Sequence, residues 1–93
     1  MTPEEEQSRG HQAKRVLSDK IYIEAHTAVR DKIIAELSKA DTTGEKRERL
    51  NSLLVALSTV NRYMEQVMVG GKMAAEQIER DRTLRERIMQ RVA

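Results

Sequence analysis

The sequence predicts an all-α fold: an antiparallel helical hairpin with shorter N-terminal and C-terminal helices, within a single domain of residues 1–93. Three observations point there. Apolar residues recur at alternating three- and four-residue steps through most of the chain, which places them on one side of a helix. Helix-capping residues stand ahead of these stretches at Thr2, at Ser18 and Asp19, and at Thr42. Charged residues make up 34% of the chain and apolar residues 39%, a balance suited to helices that bury one face and solvate the other.

The first helix occupies residues 1–18. Thr2 caps it, Pro3 fits its first position, and Glu5 completes a capping box, while Glu4, Glu5 and Glu6 suit the positive end of the helix dipole. Its apolar contacts are Ala13, Val16 and Leu17, and Gly10 weakens its middle by roughly 1 kcal/mol relative to alanine. A break follows at Ser18 and Asp19. The next helix, from about Lys20 to Lys39, carries the stripe Tyr22, Ala25, Val29, Ile33, Leu37 and Ala40, widened by Ile21, Ile23 and Ile34. Asp41-Thr42-Thr43-Gly44 is a polar turn, with Thr42 and Glu45 as a second capping box.

The third helix is expected over residues 45–69, completing a hairpin of residues 20–69. Two overlapping heptad-like tracks run along it, 50-54-57-61-64-68 and 53-57-60-64-67. So wide a stripe wants more than one neighbouring helix. Gly70-Gly71 is expected to end it, because glycine readily takes the left-handed conformation of a helix C-cap. A basic C-terminal helix over residues 72–93 then carries Ala74, Ala75, Ile78, Leu84, Ile88 and Val92, its apolar phase broken by Asp81 and Arg85.

Composition narrows the function classes. The absence of cysteine excludes disulfides, zinc–thiolate sites and cysteine nucleophiles, and the only aromatic residues are Tyr22 and Tyr63. That argues against base stacking and against an aromatic-lined ligand pocket. No apolar run approaches the roughly 18–20 residues of a membrane span. Lysine plus arginine number 17 against 15 acids, and the acids are interleaved with the bases. Arg80, Arg82, Arg85, Arg87 and Arg91 form the richest basic stretch, but Glu76–Arg80, Asp81–Arg85 and Arg82–Glu86 have ion-pair spacing on a helix.

Enzymatic chemistry finds little support. His11 and His26 lack further ligands at metal spacing, and His26 reads as a half-buried, hydrogen-bonded residue at the edge of its stripe. Carboxylates neighbour bases rather than one another, unlike a paired acid and base. Gly70-Gly71-Lys72 lacks the strand, the glycine spacing and the hydroxyl residue of a phosphate-binding loop. The expectation is a non-enzymatic protein with neither cofactor, metal nor small-molecule substrate.

Protein–protein assembly accounts for more residues. Leu53, Leu57, Val60, Met64 and Met68 are the candidate interaction residues, the methionines supplying side chains that adapt to irregular surfaces. One hairpin cannot bury the whole stripe, so a homo-oligomer or another protein is expected to cover the remainder. The five C-terminal arginines are the candidate contact for an acidic partner or, secondarily, nucleic acid. A small DNA-binding regulatory protein is the alternative reading.

Arg9-Gly10 with Ala13, Leu17 and Asp19, then Ile23-Glu24-Ala25 and Val29, then Arg47-Glu48-Arg49-Leu50, a leucine helix, and Gly70-Gly71-Lys72 with Ala74 form a recurring pattern. Over residues 9–78 it resembles small helical proteins encoded among the structural genes of tailed bacteriophages. Members often carry proline after the equivalent of Asp19 and tryptophan in the second helix, where this chain has Lys20 and no tryptophan. The resemblance implies a role in or near the virion, assembled in the host cytoplasm with capsid, portal or head–tail components as partners. It implies no catalytic residues, and a phage-encoded inhibitor of a host enzyme is the further alternative.

Overall fold

The computed structural model describes residues 1–92, which form α1 (Pro3–Ser18), α2 (Lys20–Leu37) and α3 (Gly44–Val92), with no strand among the described residues. The all-α expectation stands, and the first two helices begin and end close to where their caps place them. The Thr2 hydroxyl oxygen accepts from the Glu5 N–H at 3.1 Å, satisfying one of the donors that a helix N-terminus leaves without a partner. Asp19 serves both neighbours. Its own N–H donates to the Val16 carbonyl at 3.1 Å, and its carboxylate accepts from the Tyr22 N–H at 3.0 Å. One extended residue thereby ends α1 and starts α2. The Thr42 capping box does not form: the Thr42 hydroxyl donates to the Glu36 carbonyl at 2.7 Å, tying the connecting loop to the end of α2.

The main departure is at Gly70-Gly71. These residues do not end a helix, because α3 runs unbroken for 49 residues from Gly44 to Val92 and no glycine has a positive φ. Among the described residues there is accordingly no separate helix after Gly71, where one was expected over residues 72–93. At 1.5 Å per residue such a helix is about 73 Å long, and it sets the longest dimension of the molecule, 77 Å.

Glycine at position 71 serves packing instead. An alanine Cβ built on Gly71 would lie 2.7 Å from the Gly10 Cα, and one built on Gly10 would lie 2.7 Å from the Gly71 Cα. The two backbones meet directly, with no side chain between them. Each glycine is followed three residues later by an alanine, Ala13 and Ala74, and all four residues are buried. Gly10, read from sequence only as a weak point of α1, is therefore the residue that seats it. α1 is also the principal neighbour of α3, ahead of α2. The closest packing thus lies outside residues 20–69, where the hairpin was expected.

Farther along, the Tyr22 hydroxyl donates to the Asn61 side-chain oxygen at 2.8 Å, and Glu36 pairs with Lys46 at 3.3 Å. Later residues of α1 and α2 meet progressively earlier residues of α3, so both run against its direction. Glu36 also pairs with Lys39 at 2.7 Å. These two ammonium groups, Lys39 foremost, hold its carboxyl below the ordinary carboxylate value, while Glu36 raises Lys39 above the ordinary lysine value.

Two measurements test this account. In dilute solution Gly71→Ala should destabilise the chain by about 1–3 kcal/mol because backbone blocks the added methyl. Gly70→Ala, which meets nothing within 4 Å, should stabilise it by about 0.5–1 kcal/mol through helix propensity. Denaturant unfolding followed by circular dichroism reads both signs. The Glu36 clamp should be fully present between the ordinary carboxylate and lysine pKa values. It should fade as pH falls through the lowered Glu36 pKa or rises through the raised Lys39 pKa. An NMR titration should show Glu36 titrating below ordinary glutamates, and Lys39→Ala should move it back up.

Candidate interaction surface

Helix periodicity divides the apolar residues of α3 into two adjoining lines. Leu50, Leu54, Leu57, Asn61, Met64, Met68, Gly71, Ala75 and Ile78 follow one another at three- and four-residue steps, and none of them is exposed. This inner line contains the Gly71 crossing and underlies α1 and α2. The outer line, Leu53, Ala56, Val60 and Tyr63, lies beside it, and Leu53, Val60 and Tyr63 are 56–59% exposed; its continuation is half-buried at Val67 and Gly70 and buried at Ala74, while Met73, 64% exposed, lies farther round the helix. Of the two tracks read from sequence, 50-54-57-61-64-68 lies wholly on the inner line, whereas 53-57-60-64-67 is divided: Leu57, Met64 and Val67 are half-buried and only Leu53 and Val60 face solvent.

The candidate interaction residues are split by the same division. Leu57, Met64 and Met68 are half-buried on the inner line, Met68 beside Gly10, Lys14 and Leu17, whereas Leu53 and Val60 are exposed. Tyr63 and Met73 belong to the exposed set but were absent from the sequence-based one. Tyr63 also accepts a hydrogen bond from the Arg9 guanidinium at 3.4 Å, which ties the rim of the outer line to α1. The signal that would have found the division is the glycine–alanine pair at matching spacing in α1 and α3. It marks where two helices approach closely and hence which line of α3 is used up.

The interior is thin. Ala13, Ile33 and Ala74 are its buried hydrophobic residues, and no large side chain is fully buried. A fully buried leucine or isoleucine contributes roughly 1.5–3 kcal/mol, and among the described residues only Ile33, still 7% exposed, comes near that. On α2, Ile21, Ile23, Val29 and Ile34 are 40–70% exposed. His26 is half-buried as expected, 6.0 Å from the Tyr22 ring between centroids, but its buried Nε2 finds no hydrogen-bond partner among the described residues.

At the other end, every residue from Leu84 to Val92 is exposed, so this stretch of α3 extends past the packing of α1. The five candidate arginines, Arg80, Arg82, Arg85, Arg87 and Arg91, are all exposed. Among the described residues, the ion pair formed here is Glu79–Arg82 at 2.6 Å rather than the four-residue pairs expected. Leu84, Ile88, Met89 and Val92 lie among these arginines and are 52–83% exposed.

The described residues contain no cluster of metal-ligating side chains, and no described helix is long and apolar enough to cross a membrane. In comparisons with protein families, curated proteins and solved structures, nothing matches the chain.

Truncation separates the two lines. At a dilution where the chain is monomeric, Leu57→Ala should cost about 2 kcal/mol, the low end for leucine truncations. Leu53→Ala should change stability by less than about 0.5 kcal/mol, as for other surface substitutions. Equal losses in urea titrations would contradict the assignment of faces.

Proposed function

We propose that this chain is a non-enzymatic assembly protein that associates through its helices, using the outer line of α3 as its contact surface. The carrying observation is area. A compact monomer of 10.7 kDa would expose roughly 5,500 Å², whereas the chain exposes 7653 Å². The excess, about 2,000 Å², is more than twice the roughly 800 Å² that each partner contributes to a standard interface. Ten of the sixteen exposed large hydrophobic residues lie on α3, which favours a partner held through a helix face.

Copies of the chain itself, or a capsid, portal or head–tail component, are the partners this reading names. The virion setting is supported by the resemblance of residues 9–78 to small proteins of tailed-phage structural genes. The exposed arginines after residue 79 supply a second contact, for acidic protein surface or packaged DNA. Their separation from the outer line lets one copy engage two partners.

The test is solution mass as a function of concentration, by light scattering behind size-exclusion chromatography. The native chain should form a defined oligomer. Val60→Asp, which alters a 57% exposed position, should retain helicity but shift the mass towards the monomer. A Val60→Asp chain that keeps the native mass would exclude this face as the contact surface.

A further inference from the structure

The net positive charge of this chain belongs entirely to the projecting end of α3. From Arg80 onward five arginines stand against Asp81 and Glu86, whereas the preceding residues carry twelve bases against thirteen acids. No lysine occurs after Lys72. Every base here is therefore a guanidinium, whose planar fork fits phosphate oxygens in pairs.

Helical geometry sorts these charges. At about 100° per residue, Arg80, Arg87 and Arg91 fall within a sector of about 40°, on the side of α3 turned away from Gly71 and α1. Glu79, Asp81 and Glu86 lie roughly 100–120° round from the centre of that sector, and Arg82 and Arg85 lie on the far side with them. Glu79 pairs with Arg82 at 2.6 Å; Glu79 first, then Glu86, raises the Arg82 guanidinium above its ordinary value. Glu76 stands one turn before Arg80, yet none of Arg80, Arg87 and Arg91 is in an ion pair among the described residues. Charges that alternate along the sequence are thus segregated in space. Leu84 is the nearest large apolar residue to the arginine sector, and Ile88 and Val92 turn progressively out of it.

We propose that Arg80, Arg87 and Arg91 bind the phosphate backbone of duplex DNA without sequence preference. This names the partner of the second contact given above and is independent of the outer line. The three arginines rise along the helix by steps of about 10.5 and 6 Å, and a DNA strand carries a phosphate for roughly every 3.4 Å of its axis. Phosphates therefore come within reach of this row at any register. An acidic protein is the weaker fit. Exposed guanidinium–carboxylate pairs contribute little, whereas each neutralised phosphate also releases condensed counterions, and Ile88 and Val92, which would anchor the helix in a protein groove, point out of the sector. Neither tyrosine belongs to this end of α3, so nothing here stacks on unpaired bases and the duplex is favoured over a single strand. The excess of acids before Arg80 keeps the rest of the chain off the polyanion.

The experiment titrates a labelled duplex of about 20 base pairs with the full chain and follows fluorescence anisotropy between about 20 and 100 mM salt. The logarithm of the binding constant should fall against the logarithm of salt with a slope of about −3, from three phosphates at roughly −0.9 each. Arg87→Gln/Arg91→Gln should flatten the slope to about −1. Arg82→Gln/Arg85→Gln, which removes the same charge from the other side of the helix, should leave it unchanged; all these positions are exposed, and circular dichroism should show native helicity in both variants. Absence of binding at the lowest salt, or equal losses in the two double variants, overturns the proposal. So does displacement of the duplex by poly-L-glutamate as effective, charge for charge, as displacement by unlabelled duplex, which would assign the face to acidic protein. Val60→Asp should bind the duplex with the native slope, so failure of the DNA contact leaves the light-scattering test of the outer line intact.

Discussion

The direct meeting of the Gly10 and Gly71 backbones is the constraint on which the rest of this structure depends. It fixes the register of α1 on α3, and through the shared cap at Asp19 it determines where α2 begins along the same helix. Interiors hold together by dispersion and burial summed over many contacts, and two backbones without intervening side chains bring more atoms within range than bulky residues at a standard spacing. The cost is helix propensity at each glycine, offset by packing that alanine could not permit. A single methyl at either position therefore has consequences out of proportion to its size.

This close approach also explains why so much apolar surface is left over. A contact made of glycines and alanines consumes little side chain, so α1 holds its place without covering the larger residues of α3. Leu53, Val60 and Tyr63 remain in solvent beside the inner line, Met73 remains exposed farther round α3, and Ile21, Ile23 and Val29 remain exposed on α2. For a chain of this size the margin of stability is small. Association that covers these residues would supply what the thin interior lacks. Assembly and folding are then one problem, and concentration is expected to influence both.

Polar contacts act mainly at the ends and joints. Thr2 and Asp19 satisfy helix N-termini, Thr42 and the Glu36 clamp hold the loop between α2 and α3, and Tyr22 reaches Asn61 where α2 starts. None of these interactions is deeply buried, so each contributes modestly. They set direction more than stability. The arginine-bearing end of α3 stands apart from them, a charged, apolar-striped helix without cover from its own chain. Its separation from the Gly10–Gly71 contact makes it independent of the packing that orders the rest.

The sequence by itself determined the helical class, the starts of α1 and α2, and the break at Asp19, because caps and heptad spacing act between residues close along the chain. It also showed that α3 carries more apolar surface than one neighbour can cover. Only the tertiary structure decided the meaning of the glycines. Gly70-Gly71 has the local form of a helix stop, and Gly10 that of a weak point; each changes sense once a second helix lies against it. Gly71 continues the helix because the approach of α1 favours a bare backbone there, a benefit that propensity does not contain. The fate of the two apolar tracks followed from the same contact. Leu57, Met64 and Met68 share a line with Gly71 and turn inward, while Leu53 and Val60 lie beyond it. Which side of an amphipathic helix finds its neighbour is a long-range choice, and residues far apart in the chain made it.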